Sequence, residues 1–106
     1  MRAVLPSSVL VFGVLAAAAA AAQEVPRFDV DRICRNKPDA AECLGLEQQA
    51  YTELKGLWPQ VSDYWKAECT REAAGQKAYQ YFYLRDCTKA QVEEDKKAAD
   101  LPHFKY

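Results

Sequence analysis

The residues of this chain best suited to chemistry are four cysteines, and their spacing argues for a structural role. They lie at Cys34, Cys43, Cys69 and Cys87, and the closest two are nine positions apart. Redox thiols and c-type haem sites use two cysteines separated by two residues, and zinc sites also rely on close pairs. The even number therefore predicts two structural disulfides. We expect no metal and no cofactor.

The remaining candidates for catalysis are one histidine and one pair of adjacent acids. His103 lies near the end of the sequence, and acid or base catalysis would require it to be held against a nucleophile in a pocket. Glu93 and Glu94 are neighbours, so on a helix their carboxylates point in different directions and cannot flank a glycosidic bond. We therefore expect no catalytic residue and predict that the protein is not an enzyme.

Residues 1–22 have the composition of a secretory signal peptide. Arg2 gives a positive start, residues 3–19 form an almost uninterrupted apolar run, and three alanines precede Gln23. Such a segment is cleaved on export, although an apolar run of this length also leaves a membrane anchor open. We expect cleavage after Ala22, a periplasmic or secreted product, and no stable membrane insertion after cleavage.

The length and charge of the exported part limit its stability and its partners. Residues 23–106 are close to the size below which one hydrophobic core supplies only about 3–5 kcal/mol. A disulfide that closes a loop of about 15 residues contributes about 3 kcal/mol, so two of them suit this chain. The formal net charge at pH 7 is −1 for the whole chain and −2 for residues 23–106, which lack Arg2, and opposite charges are interspersed. The sequence therefore predicts no nucleic-acid binding.

The segment after the signal is polar and irregular. Residues 23–39 contain Pro26 and Pro38 and show no sustained hydrophobic period. We interpret residues 23–39 as an extended N-terminal arm that Cys34 ties to the domain, with one helical turn at residues 29–35.

Residues 40–100 are predicted to form a helical, disulfide-bridged domain. Apolar residues recur at three- and four-residue steps over residues 40–58, which is the pattern of an amphipathic helix. A short second helix is predicted before Gly75, and a third over residues 77–99. Residues 101–106 follow as a C-terminal tail. The predicted fold class is all-α, a small three-helix domain made of a helical hairpin plus a short helix and stapled by two disulfides.

The pairing of the cysteines depends on how these helices pack. Four cysteines allow three pairings, and sequence alone does not choose among them. An antiparallel arrangement of the first two helices would bring Cys43 level with Cys69. We therefore favour a disulfide between these two, which leaves Cys34 to pair with Cys87.

The third predicted helix begins with a dense aromatic cluster at residues 79–83. We expect its packing face to consist of Tyr79, Tyr83, Cys87 and Ala90. Core packing explains most of the aromatic content, since each ring buries about 150–250 Å². The cluster is too dense for one narrow face, so Tyr81 or Phe82 should be partly exposed. Aromatic side chains are enriched at interface centres, which makes these two a candidate partner surface.

One set of residues between Cys34 and Cys87 forms a recognisable pattern. It consists of Cys43, Glu47, Gln48, Tyr51, Leu54, Trp58, Lys66, Cys69, Gly75, Tyr79, Leu84 and Cys87. In this pattern the chain resembles small exported four-cysteine bacterial proteins of unknown function. The resemblance implies a helical, disulfide-linked exported domain and carries no mechanism. A looser likeness links the chain to periplasmic proteins of the lysozyme-inhibitor type, which are also helical and cysteine-bridged.

These observations lead to two hypotheses of function. The first is an exported, non-enzymatic helical protein that acts as a periplasmic interaction or envelope-accessory module, with an envelope protein as its partner. The alternative is an inhibitor of a cell-wall hydrolase, which would insert an acidic or aromatic element into the cleft of the enzyme.

Overall fold

A computed structural model describes residues 24–106, and the expected signal peptide at residues 1–22 lies outside them. The described part consists of four α-helices and one 3₁₀ turn, without a strand. The helices are α1 (Val30–Arg35), α2 (Ala40–Leu57), α3 (Asp63–Ala74) and α4 (Gln80–Ala99), and the 3₁₀ turn is Trp58–Gln60. Two disulfides cross-link these helices, so the predicted all-α fold stapled by two disulfides is confirmed.

Local sequence chemistry sets where these helices begin and end. The Asp29 carboxylate accepts a hydrogen bond from the backbone N–H of Arg32 at 3.2 Å and so caps α1. The Ser62 hydroxyl caps α3 in the same way, 3.4 Å from the N–H of Trp65. Between α2 and α3, Pro59 lies within the 3₁₀ turn, where the missing proline N–H is not needed. This turn redirects the chain from α2 into α3.

The long helix α4 is the centre of the domain. It packs along both α2 and α3, while α1 packs on α2. On its buried face Leu84, Thr88 and Val92 follow each other at four-residue steps. Leu84 and Val92 belong to a core cluster that consists of Ala50, Leu54, Trp58, Val61, Cys69, Ala73, Tyr81, Leu84 and Val92. One core thus holds the three longest helices together.

The predicted packing face of α4 is right for Cys87, which packs against the core and is bonded to α3, and wrong for Tyr83 and Ala90. Tyr83 is 37% exposed and Ala90 is exposed, whereas Tyr81 is buried. The helix also begins later than predicted, at Gln80 and not at residue 77. Tyr79 is the N-cap and has a left-handed backbone with φ 58°. Tyr79 therefore lies before the helix, and packing against α2 and α3 buries Tyr81, Leu84, Thr88 and Val92 instead.

Backbone strain at Tyr79 gives a testable difference between two variants. A left-handed conformation costs a residue other than glycine about 1–2 kcal/mol. Tyr79→Gly and Tyr79→Ala both remove the ring, and only glycine adopts this conformation freely. After subtraction of the larger unfolded-chain entropy of glycine, we expect the glycine variant to be more stable by about 0.5–1 kcal/mol in urea denaturation. An alanine variant of equal or greater stability would contradict the left-handed backbone.

The favoured cysteine pairing is also wrong, because both disulfides join elements that follow each other in the chain. Cys34 of α1 is bonded to Cys43 in the first turn of α2, with their Cα atoms 5.5 Å apart. Cys69 of α3 is bonded to Cys87 of α4, at a Cα distance of 5.8 Å. The Cys43–Cys69 pairing assumed that α3 lies along α2. Instead, the 3₁₀ turn places α3 against α4, which brings Cys69 level with Cys87.

Candidate functional site

A buried carboxylate on α2 holds the start of α4. Glu47 is 3% exposed. Its Oε1 accepts a hydrogen bond from the backbone N–H of Tyr81 at 3.0 Å, and its Oε2 accepts one from the N–H of Phe82 at 2.8 Å. N–H groups in the first turn of a helix lack intrahelical partners and carry a partial positive charge. Glu47 therefore caps α4 from a neighbouring helix and fixes the position of the residues that follow.

Tyr81, which Glu47 positions, fastens the N-terminal arm to the core. Its hydroxyl donates a hydrogen bond to the carbonyl of Pro26 at 2.7 Å and accepts one from the N–H of Phe28 at 2.9 Å. Its ring centroid lies 4.9 Å from those of Phe28 and Tyr51. Burial raises the pKa of Tyr81, so the hydroxyl stays protonated and keeps its donor. Residues 24–29 are thus held against α2 and α4.

The two residues predicted as a partner surface have different environments. Tyr81 is 5% exposed and belongs to the core, so its place in that surface is wrong. Phe82 is partly exposed, and the guanidinium of Arg85 lies 4.4 Å from its ring centroid. Arg85 also pairs with Glu53 at 3.1 Å and with Asp86 at 3.0 Å. Phe82 is therefore at the surface, beside a small network of charges.

Two recesses border the fastened arm. The first, which we call the cationic recess, has a volume of about 400 Å³ and is lined by Glu24, Val25, Arg27, Tyr51, Lys55, Trp58, Pro59 and Lys66. The second lies between the arm and α2, has a volume of about 570 Å³, and includes Leu44 and Gln48 in its wall. Arg27 and Tyr51 line both. Volumes of this order are typical of ligand sites in proteins.

The cationic recess combines positive charges from three separate elements with aromatic rings. Arg27 comes from the arm, Lys55 from α2 and Lys66 from α3. The Nζ of Lys55 lies 5.4 Å from the ring centroid of Tyr51, and the Nζ of Lys66 lies 5.5 Å from that of Trp58. These distances allow cation–π attraction, which holds each ammonium group beside its ring.

Lys66 is the most enclosed charged side chain of this recess, and it lies beside the buried Trp58. The side chain of Lys66 is 13% exposed, and its ion pair with Asp63 spans 3.9 Å to a carboxylate that is 96% exposed. Trp58 is 5% exposed. Among the residues that the structure describes, its Nε1 is the one buried side-chain polar atom without a hydrogen-bond partner. The recess thus contains a poorly neutralised cation beside the ring of Trp58, whose own N–H is buried and unpaired.

The other sequence candidates do not come together. His103 is exposed in the tail, and Glu93 and Glu94 are exposed on the second half of α4. All four cysteines are used in disulfides. Within residues 24–106, no three histidine, cysteine or acidic side chains gather closely enough to hold a metal ion. None of the described helices is long and apolar enough to cross a bilayer.

Comparisons with known proteins do not test the two resemblances seen in the sequence. No protein-family model, curated protein or solved structure matches the chain. The likeness to exported four-cysteine proteins and to lysozyme-inhibitor-type proteins therefore rests on the sequence motifs alone.

Sequence reasoning did not identify the cationic recess. One signal was present, because Tyr51 and Lys55 are four residues apart and so lie on the same face of α2. Lys66 has no sequence signal for this recess beyond its place in the resemblance. Arg27 is far from both lysines in sequence, and it joins them because the Tyr81 hydroxyl fastens the arm.

Loss of the Tyr81 hydroxyl is expected to loosen this arrangement. Tyr81→Phe removes one oxygen atom and leaves the Pro26 carbonyl and the Phe28 N–H without their partner. We expect the free energy of unfolding to fall by about 1–2 kcal/mol in urea denaturation. Tyr83→Phe is the matched control, because it removes an exposed hydroxyl that contacts Glu72 at 2.9 Å. The free energy of unfolding of Tyr83→Phe should fall by less than about 0.5 kcal/mol. Equal falls in the two variants would contradict a fastened arm.

Proposed function

We propose that this protein is an exported, non-enzymatic interaction module of the bacterial envelope, periplasmic or secreted, that binds a partner protein at the surface beside its N-terminal arm. Two disulfides in so small a domain are consistent with an oxidising extracellular environment. The signal-like composition of residues 1–22 supports the same location.

The observation that carries the proposal is the fastening of the arm by Tyr81. An irregular segment of a small domain would ordinarily be free to move, and ordering it on binding would weaken affinity. Here the Tyr81 hydroxyl bonds the backbone at both Pro26 and Phe28, and recesses are already formed beside the arm. A preformed concave surface is what an interaction module needs.

The buried polar side chains support this arm and the helices next to it. Glu47 binds the first N–H groups of α4, and Gln80 donates from its Nε2 to the last carbonyl of α3, that of Ala74, at 3.2 Å. The Thr88 hydroxyl donates to the carbonyl of Leu84 at 2.8 Å within α4. These three side chains all form hydrogen bonds with backbone groups of the helices. Such bonds support a rigid scaffold, which suits a recognition role.

Site-specific photo-crosslinking in intact cells tests the proposal. A photoreactive amino acid is placed at Arg27 or at Leu44, which line the two recesses, and at Lys96 on the second half of α4 as the control. We expect adducts with the same envelope protein from Arg27 and Leu44, none from Lys96, and loss of both adducts when Tyr81→Phe is added. Absence of a protein adduct from the recess positions, or the same adduct from all three, would overturn it. An adducted cell-wall hydrolase whose activity falls on binding would support the inhibitor form of the hypothesis.

A further inference from the structure

The cationic recess has an excess of positive charge that the domain does not neutralise. Arg27, Lys55 and Lys66 line it together with one carboxylate, that of Glu24. Within residues 24–106, no ion pair joins Arg27 or Lys55 to an acid, and the pair between Lys66 and Asp63 is long. The whole chain is slightly acidic, with a net charge of −1, so this local excess is set by the placement of residues and not by composition.

The position of Lys66 makes the site favourable for an anion. Its side chain is only 13% exposed, so its apolar stem has already lost most of its contact with water on folding. An anion that reaches Lys66 in this partly enclosed site would meet a lower effective dielectric than at an open surface. A lysine that is this enclosed gains more from a bound anion than an exposed lysine does, because solvent screens the exposed one.

The wall also contains apolar side chains and aromatic rings, and these narrow the class of anion. Val25, Pro59 and the rings of Tyr51 and Trp58 surround the cations. A group that combines one negative charge with an adjoining apolar side chain would satisfy both parts of the wall. A free inorganic anion would leave the apolar part unused.

We propose that the cationic recess binds a carboxylate group of a protein partner together with the apolar side chain next to it, as at an apolar C-terminal residue. Lys66 is the principal contact, Arg27 and Lys55 complete the positive rim, and Trp58 and Tyr51 contact the apolar part. This inference rests on the proposed function and names the group that the partner presents. The volume of about 400 Å³ is sufficient for one such residue.

Nuclear magnetic resonance of the tryptophan indole N–H groups in the oxidised protein tests the inference. Trp58 lines the recess and its N–H has no internal partner, whereas Trp65 is outside the recess lining and serves as the internal reference. N-acetyl-leucine is the probe, and N-acetyl-leucinamide is its neutral counterpart. We expect a saturating shift of the Trp58 signal with the acid at millimolar concentration, at least about tenfold weaker binding of the amide, and a Trp65 signal that does not move.

Substitution and a second anion complete the test. Lys66→Met keeps the apolar stem over Trp58 and removes the charge, and it should weaken binding of the acid by about tenfold or more. Lys89→Met, at an exposed position of α4, should leave binding unchanged. Equal binding of acid and amide, no shift of Trp58, an unaffected Lys66→Met variant, or inorganic phosphate that binds as tightly as N-acetyl-leucine would each overturn the inference.

The outcome is separable from that of the proposed function. If Lys66→Met abolishes the photo-crosslinks from Arg27 and Leu44, the carboxylate site and the partner surface are the same. If those crosslinks persist in Lys66→Met and N-acetyl-leucine does not shift Trp58, the partner surface stands and the carboxylate site is refuted.

Discussion

Replacing Glu47 with alanine is expected to lower the free energy of unfolding by about 3–4 kcal/mol, because it removes a buried, charge-assisted cap. Both carboxylate oxygens are engaged, by the N–H groups of Tyr81 and Phe82. Without them, two backbone donors at the start of α4 lose their partner in a site where Glu47 is 3% exposed. The alanine also leaves a cavity between α2 and α4.

The measurement is urea denaturation of the oxidised protein, followed by circular dichroism. Glu47→Gln keeps the shape of the side chain and one acceptor oxygen, so its free energy of unfolding should fall less than that of the alanine variant. Gln48→Ala is the matched control, since Gln48 is the next residue on α2 and is exposed. A Glu47→Ala variant within about 0.5 kcal/mol of Gln48→Ala would show that this carboxylate does not support α4.

Removing the disulfide between α3 and α4 is expected to have an effect of the same size. The bond closes a loop with a sequence separation of 18, and the chain-entropy model gives it about 3 kcal/mol. A core of this size contributes only about 3–5 kcal/mol. The double variant Cys69→Ala with Cys87→Ala should therefore unfold tens of degrees below the parent protein, or be largely unfolded at 37 °C. Thermal melts followed by circular dichroism measure this.

The other disulfide provides the control for this prediction. Cys34→Ala with Cys43→Ala opens a loop with a sequence separation of only 9, for which the same model gives about 2.5 kcal/mol. This bond joins α1 to α2, so part of its loss should appear as local release of α1 and the arm, while α2, α3 and α4 stay packed. If the melting temperature of the Cys69→Ala with Cys87→Ala variant equals that of the parent protein, the disulfide between α3 and α4 contributes little to stability.

The extent of α2 was predictable from sequence because its signals are local. Apolar steps of three and four residues predicted a helix over residues 40–58, and α2 spans Ala40–Leu57. Pro59 fixed the end of the pattern, and Gly75 fixed the end of α3 at Ala74. Each of these features depends on backbone propensities that a short window contains.

The disulfide pairing and the start of α4 were not predictable in this way. The pairing depends on whether α3 packs on α2 or on α4, and the direction taken by the 3₁₀ turn Trp58–Gln60 decides this. The left-handed Tyr79 gave no sequence signal, because that conformation favours glycine, asparagine and aspartate. The start of α4 is stable there because Glu47 caps it from another helix, which is a long-range effect.

The candidate site shows the same division between local and long-range information. The spacing of Tyr51 and Lys55 indicates that they share one face of α2. The burial of Glu47 has no such sequence signal, because a glutamate on a helix is ordinarily exposed to solvent. Burial of Glu47 fixes Tyr81, and Tyr81 in turn fastens the arm that carries Arg27. The recess therefore exists only once three separated parts of the chain are in contact.

The hydrogen-exchange rate of the Phe28 amide in the oxidised protein tests the fastened arm most directly. Its N–H donates to the Tyr81 hydroxyl at 2.9 Å, so we expect exchange on the order of 100-fold or more slower than at an unstructured amide. Leu54 in the core and Phe104 in the exposed tail are the protected and unprotected references. Tyr81→Phe should remove most of the protection at Phe28 and leave that at Leu54. A Phe28 amide that exchanges as fast as that of Phe104 in the parent protein would contradict the account.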